Sequence, residues 1–146
     1  MGASPPRPPR LEDVVPGLAI PELAMVVTRE RVAAYAEASG DRNPLHLDDA
    51  FARSVGFPGV IAHGMLTMGH LATCLTRFAG DPGALRRLRV QFRAPVLVGE
   101  TIVAGGTVRE VDPAERRIVL DVWVRLERDG RVEHPIRRGE AELRLP

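Results

Sequence analysis

The sequence predicts a single α+β domain in which an antiparallel sheet wraps one buried helix. Two observations lead to this fold class. Residues 61–79 are apolar almost all round, which is typical of a helix enclosed by other elements. Residues 85–145 alternate apolar and polar side chains in four long runs, which is the pattern of half-buried strands. The length of 146 residues suits one domain that buries its core without disulfides or metal.

In the first half of the chain, the sequence predicts a strand over residues 18–27 and two helices. The first helix has Thr28 as its N-cap and ends at Gly40. A turn over residues 40–44 separates it from a short helix, which Asp48 or Asp49 caps and Gly56 closes. Residues 1–17 are predicted to form a Pro- and Arg-rich arm, and residues 18–146 the domain.

The second half is predicted to contain the central helix, over residues 65–78, and then four strands. The strands are predicted at residues 85–93, 101–111, 117–126 and 135–145, with breaks at 94–95, 112–113 and 129–130. In the third of these strands, Ile118, Leu120 and Val122 share one face, so that face is buried. Trp123 falls on the other face, where exposure would indicate a subunit interface.

Composition excludes several classes of function. A net charge of +1 and 4% aromatic residues argue against nucleic acid as the main partner. All 20 basic residues are Arg, which excludes a Schiff-base or P-loop lysine. The lone cysteine excludes an internal disulfide framework and a multi-cysteine zinc site. With no apolar run long enough to cross a membrane and no secretory signal, we expect a cytoplasmic protein.

Two polar residues stand out in the loop after the first helix. Asp41 and His46 lie five positions apart across an Asn-Pro turn. A carboxylate and an imidazole that face one water molecule form a general acid–base pair. The alternative is that Asp41 only caps the backbone of its turn. The spacing by itself leaves both interpretations open.

A second group of interest is the start of the apolar helix, where Gly64 follows His63. Backbone N–H groups at a helix N-terminus are unpaired and carry partial positive charge. A glycine there lets a ligand approach them closely, which suits the stabilisation of a polarised carbonyl oxygen. The competing interpretation is that Gly64 admits close packing of a neighbouring strand.

Two stretches of sequence resemble a known family. The run YAEASGDRNPLHLDDAFARSVGFPGVIAHGMLTMG, residues 35–69, resembles the signature of the MaoC-like (R)-specific enoyl-thioester hydratase/dehydratase family. The stretch GDPGALRRLRVQFRAPVLVGETI, residues 80–102, is similar to single-hotdog subunits of actinobacterial (3R)-hydroxyacyl-thioester dehydratases. The resemblance covers about residues 18–145. It implies the hotdog fold, a long central helix wrapped by an antiparallel sheet, usually in a dimer.

The resemblance also implies roles for individual residues. Asp41 and His46 take the family's catalytic positions, and the Gly64 N–H takes the position that hydrogen-bonds the thioester carbonyl. Asn43 and His63 would shape the loop or position the substrate. Some hydratases of the family carry a serine eight residues after the glycine, where this chain has Ala72, and the difference bears on substrate length or positioning.

The implied reaction is the reversible addition of water to a trans-2-enoyl thioester, which gives a (3R)-3-hydroxyacyl thioester. The thioester would be linked to coenzyme A or to an acyl-carrier protein, in fatty-acid or polyketide-type metabolism. No metal or other cofactor is implied. The expected assembly is a homodimer, or a heterodimer with another hotdog subunit, because such sheets leave an edge that pairs across subunits.

Other polar residues have more than one interpretation. Arg87, Arg89 and Arg93 fall on one face of a predicted strand, either as a solvated face or as contacts for coenzyme A phosphates or an acidic carrier. His70 and Cys74 share one side of the central helix, but no third ligand is near. Core packing is therefore favoured over a metal site.

Other hotdog activities compete with hydration. In the pattern of the family, a hotdog thioesterase usually carries its catalytic acid on the central helix, or takes it from a partner, and residues 63–79 contain no Asp or Glu. An enzyme that adds an amine or a thiol to an enoyl thioester would use the same site as a hydratase. A non-catalytic partner subunit is disfavoured, because such chains lack the acid–base pair.

Overall fold

The computed structural model describes residues 7–146, which form one antiparallel sheet with three helices. The sheet has the strand order β1-β3-β4-β5-β2, so β1 and β2 are its edges. In chain order the elements are β1 (Leu23–Val26), α1 (Arg29–Ser39), α2 (Asp49–Ser54), α3 (Gly64–Ala79), β2 (Leu85–Phe92), β3 (Thr101–Asp112), β4 (Arg117–Arg128) and β5 (Arg131–Arg144). The predicted α+β class is confirmed.

The core lies between α3 and one face of the sheet. Leu71 and Leu75 of α3 are fully buried, and they belong to the same cluster as Leu120 of β4. The opposite side of α3 is not covered by this sheet, because Met65 is 56% exposed and Thr73 is also exposed. The predicted central helix, α3, is therefore covered by its own chain on one side only.

The helix ends follow the predicted capping signals. Thr28 Oγ1 accepts a hydrogen bond from the Arg31 N–H at 3.1 Å, which satisfies one of the unpaired donors at the start of α1. Gly40 ends α1 in the left-handed conformation, with φ of 77°. Asp48 caps α2 by accepting from the Phe51 N–H at 3.2 Å. These local interactions set the directions in which the chain enters and leaves the loop that contains Asp41.

Two predicted strands have different bounds in the structure. The first is shorter than residues 18–27, because Pro21 has no N–H to donate to a neighbouring strand. Before it, Ala19 makes only an isolated bridge to Thr107. The last strand begins at Arg131, earlier than predicted, because Asp129 and Gly130 adopt positive φ values of 52° and 73° and close a tight hairpin.

Part of the predicted N-terminal arm packs against the domain. Residues 1–6 of that arm lie outside the described residues. In the remainder, the Leu11 N–H donates to the carbonyl of Pro146 at 3.1 Å, and Val14 is buried. Pro8 lies against Gly80, at the end of α3, where a β-carbon would clash with the proline ring. Across the described residues, the structure has no helix whose length and apolar content would let it cross a membrane.

Candidate active site

The loop between α1 and α2 holds Asp41 in one orientation. The Asp41 N–H donates to Ser39 Oγ at 3.1 Å, and Asp41 Oδ1 accepts from the Asn43 N–H at 3.2 Å. Asn43 Oδ1 in turn accepts from the Leu45 N–H at 3.1 Å. Asn43 therefore shapes the turn, as expected. The Asp41 carboxylate both caps the turn through Oδ1 and leaves Oδ2 free, so the two interpretations of this residue are compatible.

The free oxygen of Asp41 faces the imidazole of His46. Asp41 Oδ2 lies 4.0 Å from His46 Nε2, too far for a direct hydrogen bond. The His46 side chain is 11% exposed, whereas the Asp41 side chain is 55% exposed. His46 Nδ1 lies 2.7 Å from the carbonyl oxygen of Ile61. Because a carbonyl only accepts, we assign the proton to Nδ1, which leaves Nε2 of the neutral ring as an acceptor on the Asp41 side.

His63 supports both members of this pair. Its side chain is buried, and its ring stacks on that of His46 with centroids 3.7 Å apart. His63 Nε2 lies 2.9 Å from the backbone carbonyl of Asp41, and we assign it as the donor to that oxygen. The Tyr35 ring also packs against the His63 ring, with centroids 4.8 Å apart. His63 thus contacts both the backbone of Asp41 and the ring of His46.

Asp49 anchors the segment that leads into α3. Asp49 Oδ1 accepts from the Val60 N–H at 2.9 Å, and Oδ2 accepts from the Arg29 guanidinium at 2.9 Å. These contacts, the Val60 hydrogen bond first, hold the pKa of the Asp49 carboxyl below its usual value. One side chain therefore ties α2 to α1 and to the strand-like segment before Gly64. From the sequence, Asp49 was predicted only as a possible helix cap.

Gly64 is the first residue of α3, adjacent to the stacked His63. Among the described residues, no acceptor is in hydrogen-bond range of its N–H. The Phe92 ring lies beside Gly64, such that a β-carbon at this position would be 3.2 Å from Phe92 Cε1. Phe92 is 51% exposed. Gly64 thus offers an open N–H beside the Phe92 ring. No pattern in the sequence indicates that Phe92 lies there.

Asp41, His46 and His63 are also close enough together to be considered as metal ligands, with candidate ligand atoms within 4.8 Å of one another. The two imidazole planes are only 23° apart and stacked. Because ring-nitrogen lone pairs lie in the ring plane, stacked rings direct them side by side and not toward one ion. Each ring also donates one N–H to a carbonyl. The arrangement suits proton transfer better than metal coordination.

The arginines predicted as carrier or phosphate contacts lie elsewhere. Leu88 and Val90 pack toward the core, so Arg87 and Arg89 project from the outer face of the sheet. Arg89 is paired across the strands with Glu140. Arg93 follows the end of β2. The structure does not bring Arg87 and Arg89 to the side of the sheet that holds α3 and Gly64.

His70 and Cys74 contact the backbone of other elements. His70 Nε2 lies 2.8 Å from the Leu23 carbonyl, and the Cys74 thiol lies 3.5 Å from the Pro21 carbonyl. Burial lowers the pKa of His70 and raises the pKa of Cys74 to about 11, since it disfavours the charged form of each group. These contacts agree with core packing.

Trp123 is half-buried on the outer face, where Arg125 lies 4.8 Å from its ring centroid.

Comparison with known proteins gives matches over most of the chain. Residues 19–128 match the model of the MaoC like domain. The chain is 37% identical over 95 residues to 3-hydroxybutyryl-CoA dehydratase of Methylorubrum extorquens, an alignment covering 64% of this chain and 60% of that protein. It is 31% identical over 137 residues to (R)-specific enoyl-CoA hydratase of Rhodospirillum rubrum, covering 92% and 90%. The chain thus spans less than two thirds of the first relative and most of the second.

Solved structures show the same fold. The unliganded R-hydratase of Pseudomonas aeruginosa superimposes with a TM-score of 0.83 at 28% identity. The superposition covers 94% of this chain and 85% of that one. The five-stranded antiparallel sheet with its central helix is therefore the hotdog arrangement, as the resemblance of the sequence implied.

Proposed function

Because the chain belongs to the MaoC-like dehydratase family, we propose that its active site interconverts trans-2-enoyl thioesters and (3R)-3-hydroxyacyl thioesters. The enzyme is a hydro-lyase of fatty-acid-type thioester metabolism. The observation that carries the proposal for the site is the pairing of Asp41 Oδ2 with His46 Nε2 across 4.0 Å, beside the N-terminus of α3. Two acceptor atoms at that separation can contact one water molecule together.

The reaction requires one basic and one acidic group at this position. In hydration, a water oxygen adds to Cβ of the enoyl thioester while one member of the pair takes a proton from the water. The other member, in its protonated form, delivers a proton to Cα. Each hydration leaves the proton on the member that began as the base, so a proton must pass back across the pair, or exchange with solvent, before the next turnover. Dehydration runs through the same steps in reverse.

Gly64 would stabilise the charge that develops on the thioester oxygen. Addition at Cβ places enolate-like negative charge on that oxygen before Cα is protonated. The Gly64 N–H, at the positive end of the α3 dipole, can donate to it. A single donor of this kind typically contributes about 10²–10³-fold to turnover. His63 and Asn43 are proposed to position the pair, because each bonds to Asp41.

The acyl group of the substrate can be carried by coenzyme A or by an acyl-carrier protein. The two relatives named above are both described as acting on coenzyme A thioesters, and this supports coenzyme A as the carrier here. An acyl-carrier protein is the alternative. Arg87, Arg89 and Arg93 are proposed as contacts for the surface of such an acidic carrier, and not for the reacting end of the substrate, because Arg87 and Arg89 project from the face of the sheet opposite α3.

We further propose that a second hotdog subunit completes the site, with a homodimer as the first arrangement to test. Met65 and Phe92 are large apolar residues that are 56% and 51% exposed, and both adjoin Gly64. The neighbouring strand β2 is an edge of the sheet with unpaired backbone groups. A partner on this side would bury both features.

A cytoplasmic location is supported by the single, buried cysteine.

The decisive assay is a panel of enoyl thioesters that differ in chain length and carrier, followed by loss of enoyl absorbance. Hydration should give the (3R)-3-hydroxyacyl product, identified by chiral analysis. Release of free thiol without loss of the double bond would instead indicate a thioesterase. Consumption of the enoyl group only when an amine or a thiol is supplied would indicate a different nucleophile. Either result would overturn the proposal.

A further inference from the structure

Two adjoining clefts lie on the side of α3 that faces β1 and α1. One, of about 490 Å³, is lined by residues that include Arg31, His70 and Arg77. The other, of about 660 Å³, continues toward the C-terminal end of α3, and the two share Leu23 and Arg77. We call the pair the β1 cleft. Neither part is lined by Asp41, His46 or Gly64, although the smaller part is lined by Tyr35, which packs against His63.

The smaller part of the β1 cleft carries uncompensated positive charge. Within the described chain, neither Arg31 nor Arg77 forms an ion pair, and no carboxylate lines this part. The one polar contact of the Arg31 guanidinium is with the Met25 sulfur at 3.5 Å. Both guanidiniums lie near His70, because both contribute, after burial, to lowering its pKa. His70 is thus kept neutral, and the charge of this part comes from the two arginines.

The larger part of the cleft also lacks a free negative charge. Its one carboxylate, Glu22, accepts two hydrogen bonds from the Arg125 guanidinium, at 3.0 and 2.7 Å. This pairing holds the pKa of Glu22 below its usual value, so its charge is present and matched. An anion that entered the β1 cleft would therefore meet the guanidiniums of Arg31, Arg77 and Arg7, and no unpaired carboxylate, in the described lining.

Apart from Glu22, Arg77 and Arg7, the residues that line the larger part are apolar or uncharged. Its walls come from Pro8 and Pro9 of the N-terminal segment, from Pro21, and from Phe78 of α3. The Cys74 thiol also lines it, and with a pKa of about 11 that group is uncharged at neutral pH. A volume of about 660 Å³ falls within the range of about 300–1,000 Å³ that is typical of small-molecule pockets. The β1 cleft thus joins a cationic part to a larger, mainly apolar part that is also lined by Arg7.

We propose that the β1 cleft binds a fatty-acid anion, with the carboxylate between Arg31 and Arg77 and the aliphatic chain in the part walled by Pro8 and Phe78. A guanidinium presents parallel N–H donors that match the two oxygens of a carboxylate. The adjoining apolar walls suit an alkyl chain. The ligand class follows from this order of charge and apolar surface along one cleft.

Calorimetric titration of the full chain with decanoate tests the proposal. Decanoate should bind saturably, and affinity should rise about threefold to fourfold for each methylene added along a series from butyrate to decanoate. Decanol should bind more weakly than decanoate, because it lacks the charge. Inorganic phosphate alone should bind weakly or not at all. Equal binding of decanol and decanoate, or tighter binding of phosphate than of decanoate, would overturn the proposal.

Variants locate the binding site. Arg31→Gln and Arg77→Gln should each weaken decanoate binding by about tenfold or more, since each removes charged hydrogen bonds. Arg144→Gln, which changes an exposed arginine at the end of β5, is the matched control and should bind decanoate normally. His46→Gln should also retain binding. Loss of decanoate binding in His46→Gln, or its full retention in both cleft variants, would place the ligand in the active site and contradict the inference.

Discussion

The imidazole rings of His46 and His63 lie face to face, with their centroids 3.7 Å apart, and each is bonded to the segment that carries the other. His46 donates to the Ile61 carbonyl, two residues before His63, and His63 donates to the Asp41 carbonyl, five residues before His46. This reciprocal arrangement joins the loop with Asp41 to the start of α3. It sets the distance between the acid–base pair and the Gly64 N–H.

The first prediction concerns the pair itself. Asp41→Asn and His46→Gln each keep the size of the side chain and much of its hydrogen bonding but remove a proton acceptor. Each variant should lose at least about 100-fold in hydration rate and remain folded, since positioned acid–base groups contribute about 10²–10⁴-fold. The rate is measured as loss of enoyl absorbance, with folding checked by circular dichroism.

The controls for the pair are the same two substitutions, Asp to Asn and His to Gln, made elsewhere in the chain. Asp129→Asn, in the β4–β5 turn, and His134→Gln, on β5, should leave turnover unchanged. The double variant of Asp41 and His46 should lose much less than the product of the two single losses, because both groups act on one water. A folded Asp41→Asn enzyme with near-normal activity would refute the mechanism.

The second prediction separates the two contacts of His63. His63→Phe keeps an aromatic ring against His46 but loses the donor to the Asp41 carbonyl, whereas His63→Gln keeps a donor and loses the ring. Both should lower kcat, by up to about 10²-fold, with little change in KM, because they misplace the pair without touching the substrate. Steady-state kinetics over a range of substrate concentrations give the two constants. A change confined to KM would show that His63 contacts substrate instead.

The third prediction concerns the space around Gly64. In Gly64→Ala the new β-carbon would lie 3.2 Å from Phe92 Cε1, so the ring must shift. We expect kcat/KM to fall, by up to about 10²-fold, although the backbone N–H is retained. Phe92→Ala in the same chain should restore part of the loss, because it removes the neighbour that the β-carbon meets. If the second change restores nothing, the loss comes from blocked access to the N–H and not from the ring.

The fourth prediction concerns stability and pH. Because burial lowers the pKa of His70 from 6.5, the unfolded chain binds a proton at this residue more readily than the folded chain. The free energy of unfolding should therefore fall as the pH drops below 6.5, and down to the lowered pKa. His70→Gln keeps a donor for the Leu23 carbonyl and removes the titration, so its stability should depend less on pH in this window. Urea unfolding at several pH values measures the difference, and turnover should change less than stability.

The fifth prediction concerns assembly. Met65→Asp places a charge on an exposed residue beside Gly64, so it should leave the isolated fold intact. If a partner subunit covers this surface, the variant should sediment as a monomer and lose hydratase activity, while the unchanged protein sediments as a dimer or larger. Val15→Asp, at an apolar residue that is 58% exposed in the segment before β1, is the matched control and should not alter assembly. A fully active monomer of the unchanged chain would contradict the proposed interface.

Much of the site could be predicted from residue order alone. Asp41, Asn43 and His46 come together because five residues across an Asn-Pro turn have few ways to fold, and each forms the local contact its side chain favours. Gly64 was predicted because a helix N-terminus has unpaired N–H groups wherever it occurs. The arginines of β2 were placed on the correct face of their strand, but strand periodicity does not indicate which face is near the active site.

The sequence by itself determined the class of the fold and the caps of α1 and α2, and it put the proposed acid–base pair in one loop, because each depends on residues that are near one another in the chain. Only the tertiary structure decided how that pair is held. The bond from His46 to Ile61 spans 15 residues and that from His63 to Asp41 spans 22, and Phe92 reaches Gly64 from the edge of the sheet. Periodicity shows that a side chain is buried but not which distant side chain it meets. That choice depends on how α3 and the segment before it pack against the sheet.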